Sequence, residues 1–313
     1  MAAEKSFPFR KRSKLAPHSK LMKKILLIGK NGQLAQELIN DANSFGFEII
    51  AFNKEELDVT QSSQVEEKIE KINPTLLINT SAYHVVPLCE KNPLPALEVN
   101  FIAVQNLARI CKKKDILFVT YSTDYVFDGK KGSPYLETDS PHPLQVYGLS
   151  KLAGEYAALN SHPEGTFVIR TCGLYGGEKG SPEKGGNFVL NLLRDSKTQT
   201  KMEISSEQRV SPTYAGDLSK ATLKLLSREA LPGIYHLVNR GDCSWYEFAK
   251  EIFKLSNIKT TLKPIDRGGV DNDMRRPLFS ALENTKAKAL GVELPSWQEG
   301  LKSYLDFLNS MQK

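Results

Sequence analysis

The sequence predicts an α/β protein built on a doubly wound parallel sheet of the Rossmann type, with a smaller, partly interleaved α/β substrate lobe. Three observations lead to this prediction. Short apolar runs alternate with helical stretches between residues 24 and 170, a glycine-containing turn joins the first run to the first helix, and the rhythm changes after Arg170. A chain of 313 residues is long enough for one large α/β unit or two modest domains.

The predicted strands of the first half are apolar runs bounded by polar or turn-forming residues. In chain order they cover residues 25–28, 48–52, 75–79, 116–120 and 166–170. The stretches between them have helical apolar spacing and are predicted as helices at about 33–44, 65–72, 96–113 and 149–159. Because strand and helix alternate with short connections, the strands are expected to run parallel with helices on both faces.

The second half of the chain is less regular. Residues 173–186 contain six glycines and are predicted as a mobile loop or lid rather than a regular element. Helices are predicted at 188–194, 214–227, 244–255 and 297–309, with short strands at 201–204 and 233–238 between them. We therefore expect residues 22–172 to form the dinucleotide-binding domain and residues 173–313 to form mainly the substrate lobe.

The positive net charge of +6 is concentrated at the start of the chain. Of the 42 basic and 36 acidic residues, residues 1–24 hold eight and one, so the remainder gives no electrostatic case for a nucleic-acid partner. Residues 1–21 lack the apolar core of a secretory signal and are predicted to be a disordered basic leader, or to precede a natural start at Met22. Organelle targeting or surface binding is the alternative for this segment.

The cysteines, histidines and apolar runs indicate the redox environment and argue against a metal site and a membrane span. The four cysteines show no CxxC spacing and predict reduced thiols in a cytoplasmic protein. The five histidines form no HxxxH or HExxH pair, so no metal site is expected. No apolar stretch approaches the roughly 20 residues that a membrane-spanning helix requires, so no membrane partner is expected.

The turn after the first predicted strand has the spacing GxxGxxA, formed by Gly29, Gly32 and Ala35. Glycine permits a tight turn and a close approach of backbone N–H groups to a pyrophosphate, and the helix N-terminus adds a partial positive charge. Ala35 permits close packing of the helix against the strand. This position between a strand and a helix favours a dinucleotide-binding loop over an ordinary turn.

The end of the second predicted strand indicates which cofactor is bound. An acidic residue usually binds the ribose 2′-hydroxyl of NAD at this position. Asn53 and Lys54 stand here instead, and an amide with a lysine tolerates a 2′-phosphate better. NADPH is therefore the expected cofactor, while Glu55 and Glu56, the next residues, keep NADH open.

Two pairs of polar residues point to catalysis. Tyr147 and Lys151 are four residues apart, so on a helix both side chains project from one face. The unperturbed pKa of tyrosine is about 10, and the nearby ammonium is predicted to lower it toward the neutral range. Thr123 and Asp124 follow the fourth predicted strand, at the carboxyl end where open α/β sheets bind ligands. Each pair alone also fits a structural role, as surface residues of an amphipathic helix or as turn residues.

Six motifs between Met22 and the C-terminus resemble those of the dTDP-4-dehydrorhamnose reductase family and occur in the same order as in that family. They are GKNGQL, LDVT, STDYVFDG, QVYGLSKLAGE, SPT and RRPLFSAL. The resemblance implies an extended short-chain dehydrogenase/reductase whose substrate is a nucleotide sugar. The implied reaction reduces the 4-keto group of dTDP-4-dehydro-6-deoxy-L-mannose and gives dTDP-L-rhamnose.

The resemblance also implies roles for individual residues. The expected cofactor-binding residues are Gly29, Asn31, Gly32, Gln33 and Leu34 at the pyrophosphate, Asp58 and Val59 at the adenine, Ser81, Ala82 and Tyr83 after the third strand, and Tyr147 and Lys151. The expected catalytic set is Thr123, Tyr147 and Lys151, with Tyr147 giving a proton to the carbonyl oxygen. Thr123, Asp124 and Arg276 are the expected substrate-binding residues; Asp124 would hold a sugar hydroxyl or shape the local field, and the Arg276 guanidinium matches a diphosphate.

Two positions depart from the family pattern. Pro87 stands where the segment after the third strand usually has an aspartate, and Gly173 stands where the fifth strand is usually followed by a tryptophan. Losing the aromatic ring removes contact area and a stacking surface for the sugar. Both departures bear on which sugar is reduced, and neither touches the cofactor loop.

Two other functions fit the same motifs. The β-subunit of methionine adenosyltransferase resembles this family, binds NADP and acts by associating with its catalytic partner. With Pro87, the segment after the third strand is similar to the same segment of that regulatory branch. A sugar-nucleotide epimerase or dehydratase would use the same Tyr–Lys pair but would retain its NAD. The sequence leaves the oligomeric state open, and a homodimer is one of the alternatives. Trp245 and Tyr246 are predicted to serve packing rather than ligand contact, and His84 to be a wall residue.

Overall fold

The computed structural model describes residues 22–228, 230–271 and 274–311, so the predictions for residues 1–21 lie outside the described residues. The described β-strands are β1 Lys23–Ile28, β2 Phe47–Phe52, β3 Leu76–Asn79, β4 Leu117–Thr123, β5 Thr166–Thr171, β6 Leu174–Tyr175, β7 Lys201–Ser205, β8 Arg209–Val210, β9 Thr213–Tyr214, β10 Gly233–His236, β11 Cys243–Ser244, β12 Thr261–Ile265, β13 Val270–Asp271 and β14 Met274–Arg275. The described α-helices are α1 Gln33–Asp41, α2 Ser62–Ile72, α3 Val86–Lys91, α4 Pro93–Leu97, α5 Ala103–Lys114, α6 Val146–Ser161, α7 Phe188–Asp195, α8 Ala215–Ser227, α9 Trp245–Leu255, α10 Thr285–Ala289 and α11 Trp297–Ser310.

The central sheet has six parallel strands in the order β10–β5–β4–β3–β1–β2. The strand order reverses between β1 and β3, and open α/β sheets bind ligands outside the carboxyl ends of their strands at such a point. The register pairs Ile25 with Ile49 across β1 and β2, and Thr123 with Thr171 across β4 and β5. The loops that follow these strands therefore meet at one edge of the sheet.

Each face of the sheet is covered by helices, because successive residues of a strand point to opposite faces. Ile25 and Leu27 of β1 belong to a buried apolar cluster with residues of α1 and α8. Leu26 and Ile28 belong to a second cluster with residues of α2 and α5. Helices on both faces of a parallel sheet confirm the predicted doubly wound α/β class.

The second half of the chain contributes to the central sheet and also forms its own core. β10 pairs with β5 at the edge of the central sheet, while β7 and β12 form a separate parallel pair. A third apolar cluster joins α7, α9 and α11 around Phe248 and Tyr304. None of the helices in the described part of the chain is both long and apolar enough to span a bilayer.

The predicted helix at 96–113 differs from the structure. The helical run begins at Pro93, and a π-helical turn, Glu98–Ile102, separates α4 from α5. The wider turn holds Asn100, whose side chain hydrogen-bonds Tyr83 and Ser150. Such a distortion depends on tertiary partners, so the apolar spacing gives no sign of it.

Some short elements have too few residues for a periodic pattern. α3, α10 and β12 are absent from the sequence-based prediction, and each has six residues or fewer. The segment 173–186, predicted to lack a regular element, begins with β6, which pairs with β9.

Candidate active site

A cleft of about 1020 Å³ lies along the carboxyl ends of the first five strands. All the site residues expected from the sequence line it: Gly29, Asn31, Gly32, Gln33, Leu34, Asp58, Val59, Ser81, Ala82, Tyr83, Thr123, Asp124, Tyr147, Lys151 and Arg276. The structure therefore brings the glycine loop and the Tyr–Lys pair into one cavity. The roles of the individual residues stay predictions.

The glycine loop leaves no room for a side chain at its first position. Gly29 has φ +98°, and a Cβ there would lie 2.6 Å from Thr80 Oγ1 and 2.9 Å from the Ser81 nitrogen. Its backbone N–H donates to the Phe52 carbonyl (3.0 Å). Glycine at this position thus lets the loop after β1 lie directly against the loop after β3.

Helix α1 begins at the glycine loop and offers its N-terminus to the cleft. Gly32 is the N-cap residue, and no side chain caps the helix there. The Gln33 side-chain amide donates to the Leu174 carbonyl (3.2 Å), while its Oε1 atom is buried without a hydrogen-bond partner. Uncapped N–H groups at a helix N-terminus bind anions, so this end of the cleft fits a pyrophosphate.

The far end of the cleft is formed by the loop after β2. Asn53 and Glu56 close a turn through two reciprocal hydrogen bonds of 2.9 Å, while Lys54 lines the cleft. The Asp58 carboxylate accepts from the Thr60 nitrogen (2.9 Å) and hydroxyl (2.8 Å). Burial raises the pKa of Asp58, but the hydrogen bonds from Thr60 and the charge of Lys54 together hold the pKa below its ordinary value.

A buried asparagine that the sequence analysis missed connects the two halves of the site. Asn100 Oδ1 accepts from the Tyr83 nitrogen (2.9 Å), and its Nδ2 donates to the Tyr83 carbonyl (2.8 Å) and to Ser150 Oγ (3.0 Å). Ser150 Oγ in turn donates to the Tyr147 carbonyl (2.8 Å). Asn100 therefore fixes the loop after β3 relative to α6. No short motif marks it, because its partners are distant in sequence.

Helix α6 carries Tyr147 and Lys151 into the cleft. A Cβ at Gly148 would lie 2.1 Å from the Tyr125 carbonyl oxygen, so only glycine lets the helix start this close to the loop after β4. The rings of Tyr125 and Tyr147 make an edge contact with centroids 6.0 Å apart. Lys151 is 5% exposed. Both residues of the predicted pair thus face the interior of the site rather than the surface.

The prediction that Lys151 lowers the pKa of Tyr147 toward the neutral range is wrong. Burial raises the pKa of Tyr147 well above its ordinary value, and the charge of Asp124 raises it further. The neighbouring Thr123 hydroxyl opposes this shift in the pKa. Burial also lowers the pKa of Lys151 to about 8, although the charge of Glu155 acts in the other direction. Desolvation disfavours the charged form of both groups, which spacing along a helix does not show.

Asp124 is enclosed by protein groups. It is 4% exposed; its Oδ1 accepts from Thr123 Oγ1 (3.0 Å) and its Oδ2 from Ser280 Oγ (2.5 Å). Burial holds the pKa of Asp124 above its ordinary value, although the hydrogen bond from Ser280 acts in the other direction. Of the two predicted roles, this arrangement favours shaping the local field and orienting Thr123 over holding a sugar hydroxyl.

Cationic side chains line the cleft near the catalytic candidates. Arg276 donates to the Tyr125 hydroxyl (2.8 Å). Lys184, which the sequence analysis missed, lines the same cleft, and burial with the charge of Arg276 lowers its pKa. Two cations in one cavity match the charge of a diphosphate.

The glycine-rich segment 173–186 forms a wall of the cleft. His84 Nε2 lies 3.0 Å from Ser181 Oγ, and burial lowers the pKa of this histidine. The Tyr304 hydroxyl of α11 donates to the Gly177 carbonyl (2.8 Å). The segment is therefore held by the loop after β3 and by the last helix, and its mobility stays a prediction.

Comparison with known proteins gives a consistent result. Residues 22–310 match the family model described as the RmlD substrate binding domain. The spore coat polysaccharide biosynthesis protein SpsK of Bacillus subtilis (strain 168) is 34% identical over 284 residues, which cover 91% of this chain and 97% of that protein. The dTDP-4-dehydrorhamnose reductase of Aggregatibacter actinomycetemcomitans is 34% identical over 295 residues, covering 90% of this chain and 98% of the relative.

A solved structure shows the same likeness. The crystal structure of a dTDP-4-dehydrorhamnose reductase from Bacillus anthracis str. Ames in complex with NADP is 34% identical to this chain, with a TM-score of 0.85. The match covers 91% of this chain and 99% of that one.

Proposed function

The chain belongs to the RmlD substrate-binding domain family, and on that premise we propose that it is a dTDP-4-dehydrorhamnose reductase. The proposed reaction is the NADPH-dependent reduction of the 4-keto group of dTDP-4-dehydro-6-deoxy-L-mannose to give dTDP-L-rhamnose. The family resemblance predicted from the motifs is confirmed by the family model and by relatives of 34% identity.

One observation carries the proposal. Thr123 at the end of β4 and Tyr147 on α6 belong to distant elements, yet both line the same cleft as the uncapped N-terminus of α1. A proton donor and a dinucleotide-binding loop in one cavity are what a carbonyl reductase requires.

The residues present fit NADPH. Gly29 and Gly32 with the N-terminus of α1 would hold the pyrophosphate, and Asp58 with Val59 would face the adenine. Lys54 would bind the 2′-phosphate, which favours NADPH over NADH. When bound, this cofactor supplies the hydride that reduces the sugar carbonyl carbon.

The protein residues supply and control the proton. Because burial raises the pKa of Tyr147, its phenol keeps the proton at neutral pH and can give it to the carbonyl oxygen as negative charge develops there. Thr123 lines the cleft with Tyr147 and would donate a hydrogen bond to the same carbonyl oxygen. Lys151, charged below about pH 8, offsets the negative charge left on the phenolate and would grip the nicotinamide ribose.

The substrate half of the cleft would hold the diphosphate. Arg276 and Lys184 provide the positive charge, and Lys184 is carried by the glycine-rich segment. Asp124 would act on the substrate indirectly, through Thr123.

A substrate panel tests the proposal. Purified protein is mixed with NADPH or NADH and with nucleotide-linked 4-keto sugars, and cofactor absorbance and products are followed. We expect NADPH oxidation with an equal amount of dTDP-L-rhamnose formed. Tightly bound NAD without net oxidation would indicate an epimerase or dehydratase, and NADPH binding without turnover on any sugar would indicate a regulatory subunit.

We also propose that the protein is a homodimer, formed through an apolar surface around α6. Leu149 and Tyr156 are seven residues apart on this helix and are 54% and 51% exposed. Ile102 and Leu94 are also exposed and belong to segments that contact α6. Neighbouring exposed apolar side chains are typical of protein interfaces. Light scattering should give the dimer mass for the wild type and the monomer mass for Leu149→Glu; a monomeric wild type would contradict this proposal.

We also propose which part of the chain binds the cofactor, which part binds the substrate, and in which compartment the protein lies. Residues 22–172 carry the glycine loop and the Tyr–Lys pair and would bind the cofactor, while residues 173–313 would bind mainly the substrate. All four cysteines are free and buried, which supports a cytoplasmic location.

A further inference from the structure

Gly173 forms part of the cleft wall beside the catalytic residues and contributes no side chain to it. Gly173 follows β5, two residues beyond Thr171, which pairs in register with Thr123. It has φ +54°, and a Cβ there would lie 3.1 Å from the Pro212 Cα and 3.4 Å from Trp245 Cη2. The indole of Trp245 thus occupies the space beside this glycine and close to the reacting end of the cleft.

The backbone of Trp245 is fixed at the start of α9. Ser244 and Glu247 form a capping box, with hydrogen bonds of 3.1 and 2.7 Å between side chain and backbone. The Trp245 nitrogen donates to the Gln208 carbonyl (3.3 Å). These hydrogen bonds fix the backbone from which the indole projects.

The indole serves packing and also remains accessible. Its ring packs against Phe188, with centroids 4.6 Å apart and planes inclined by 45°. The side chain is only half-buried, and it lines both the main cleft and a neighbouring cavity of about 340 Å³. The packing contact predicted for Trp245 is present, and the accessible part of the ring leaves room for a ligand as well.

We propose that Trp245 is a specificity-determining residue whose indole packs on the deoxy-sugar ring of the substrate. This inference rests on the proposed function, because the reacting carbon must lie near Thr123 and Tyr147. A 6-deoxy sugar presents a methyl group and C–H bonds, and these pack favourably on an aromatic surface. Gly173 has no side chain, so nothing at that position separates the sugar from the indole.

Tryptophan fluorescence tests the contact directly, because the chain has only two tryptophans, Trp245 and Trp297. Trp297 is 8% exposed and belongs to the third apolar cluster. Wild type and Trp245→Phe are titrated with dTDP-L-rhamnose or with dTDP, and binding is measured in parallel by calorimetry. We expect dTDP-L-rhamnose to change the emission of the wild type but not of Trp245→Phe, and dTDP to cause a much smaller change.

The outcomes separate this inference from the proposed function. Binding of dTDP-L-rhamnose with equal emission changes in both proteins, or an equal change with dTDP alone, would overturn the role of Trp245 and leave the proposed function standing. Failure of dTDP-L-rhamnose to bind the wild type at all would overturn both.

Kinetics provides a second readout that a structural role would not give. Trp245→Ala should raise the KM for the sugar nucleotide about tenfold and leave the KM for NADPH unchanged. Trp245→Phe keeps an aromatic surface and should restore most of the loss. A parallel rise in both KM values would contradict the proposal, since a disturbed fold affects cofactor and substrate alike.

Discussion

Arg170 donates two hydrogen bonds to Glu155, from Nε to Oε1 at 2.9 Å and from Nη2 to Oε2 at 2.6 Å, and both side chains are at most 2% exposed. The pair joins β5 to α6 one helical turn beyond Lys151. Ser122 of β4 also donates to Glu155. These contacts fix the helix that carries Tyr147 and Lys151 against the two strands that end at the site.

Glu155→Gln should therefore lower the free energy of unfolding by about 3–5 kcal/mol, because it leaves the buried Arg170 guanidinium without its counter-charge. Urea denaturation measures this loss. The matched control is Glu66→Gln, which removes a surface partner of Lys113 and should cost less than about 1 kcal/mol. Equally small losses for the two variants would contradict the structural role of the Glu155–Arg170 pair.

The pH dependence of the reaction should reflect the lowered pKa of Lys151. This lysine is charged below about pH 8 and neutral above it, so kcat/KM should fall as the pH rises through about 8. Arginine stays charged throughout this range, so Lys151→Arg should lose the decline. Lys54→Gln, at the other end of the cleft, should keep it. A wild-type profile that is flat up to pH 10 would show that the ammonium is not needed.

Lys54 should determine the preference for NADPH. Its ammonium would contact the 2′-phosphate, which NADH lacks, so Lys54→Ala should raise the KM for NADPH about tenfold and leave that for NADH unchanged. Lys30→Ala is the control, because Lys30 belongs to the glycine loop but does not line the cleft. Equal effects on the two cofactors would contradict recognition of the phosphate by Lys54.

Local patterns were sufficient for the parts of the site that lie within one strand–turn–helix unit. The GxxGxxA loop could be predicted because its function requires small residues at fixed positions between β1 and α1. The spacing of Tyr147 and Lys151 similarly placed both on one face of α6. The parallel sheet followed from apolar strands that alternate with helices.

Asn100 should matter more than its absence from any short motif suggests. Asn100→Ala leaves the Tyr83 N–H without its partner and the Tyr83 carbonyl with only the weak Cys89 thiol donor, so it should lower the free energy of unfolding by about 2–4 kcal/mol. It should also reduce kcat, because the variant loses the Asn100 hydrogen bond to Ser150, whose hydroxyl in turn donates to the Tyr147 carbonyl. Asn43→Ala, at an exposed position, is the control for both measurements. Unchanged stability of Asn100→Ala would contradict the proposed link.

The remaining features depend on contacts between distant segments. The pKa of Tyr147 is raised because the folded chain buries it beside Asp124, and helical spacing carries no information about burial. Ser280 reaches Asp124 only after the second half of the chain folds onto the first, and Trp245 reaches Gly173 across 72 residues of sequence. The π turn at Asn100 likewise requires its partners on α6 and on the loop after β3.

Replacement of the proton donor is the most direct test of the account. NADPH oxidation with dTDP-4-dehydro-6-deoxy-L-mannose is measured for wild type, Tyr147→Phe and the control Tyr156→Phe, which removes the hydroxyl of a tyrosine on the same helix outside the cleft and keeps its apolar ring. Tyr147→Phe should lower kcat at least about a hundredfold with little change in NADPH binding, while Tyr156→Phe should match the wild type. Undiminished turnover by Tyr147→Phe would contradict the assignment of Tyr147 as the acid.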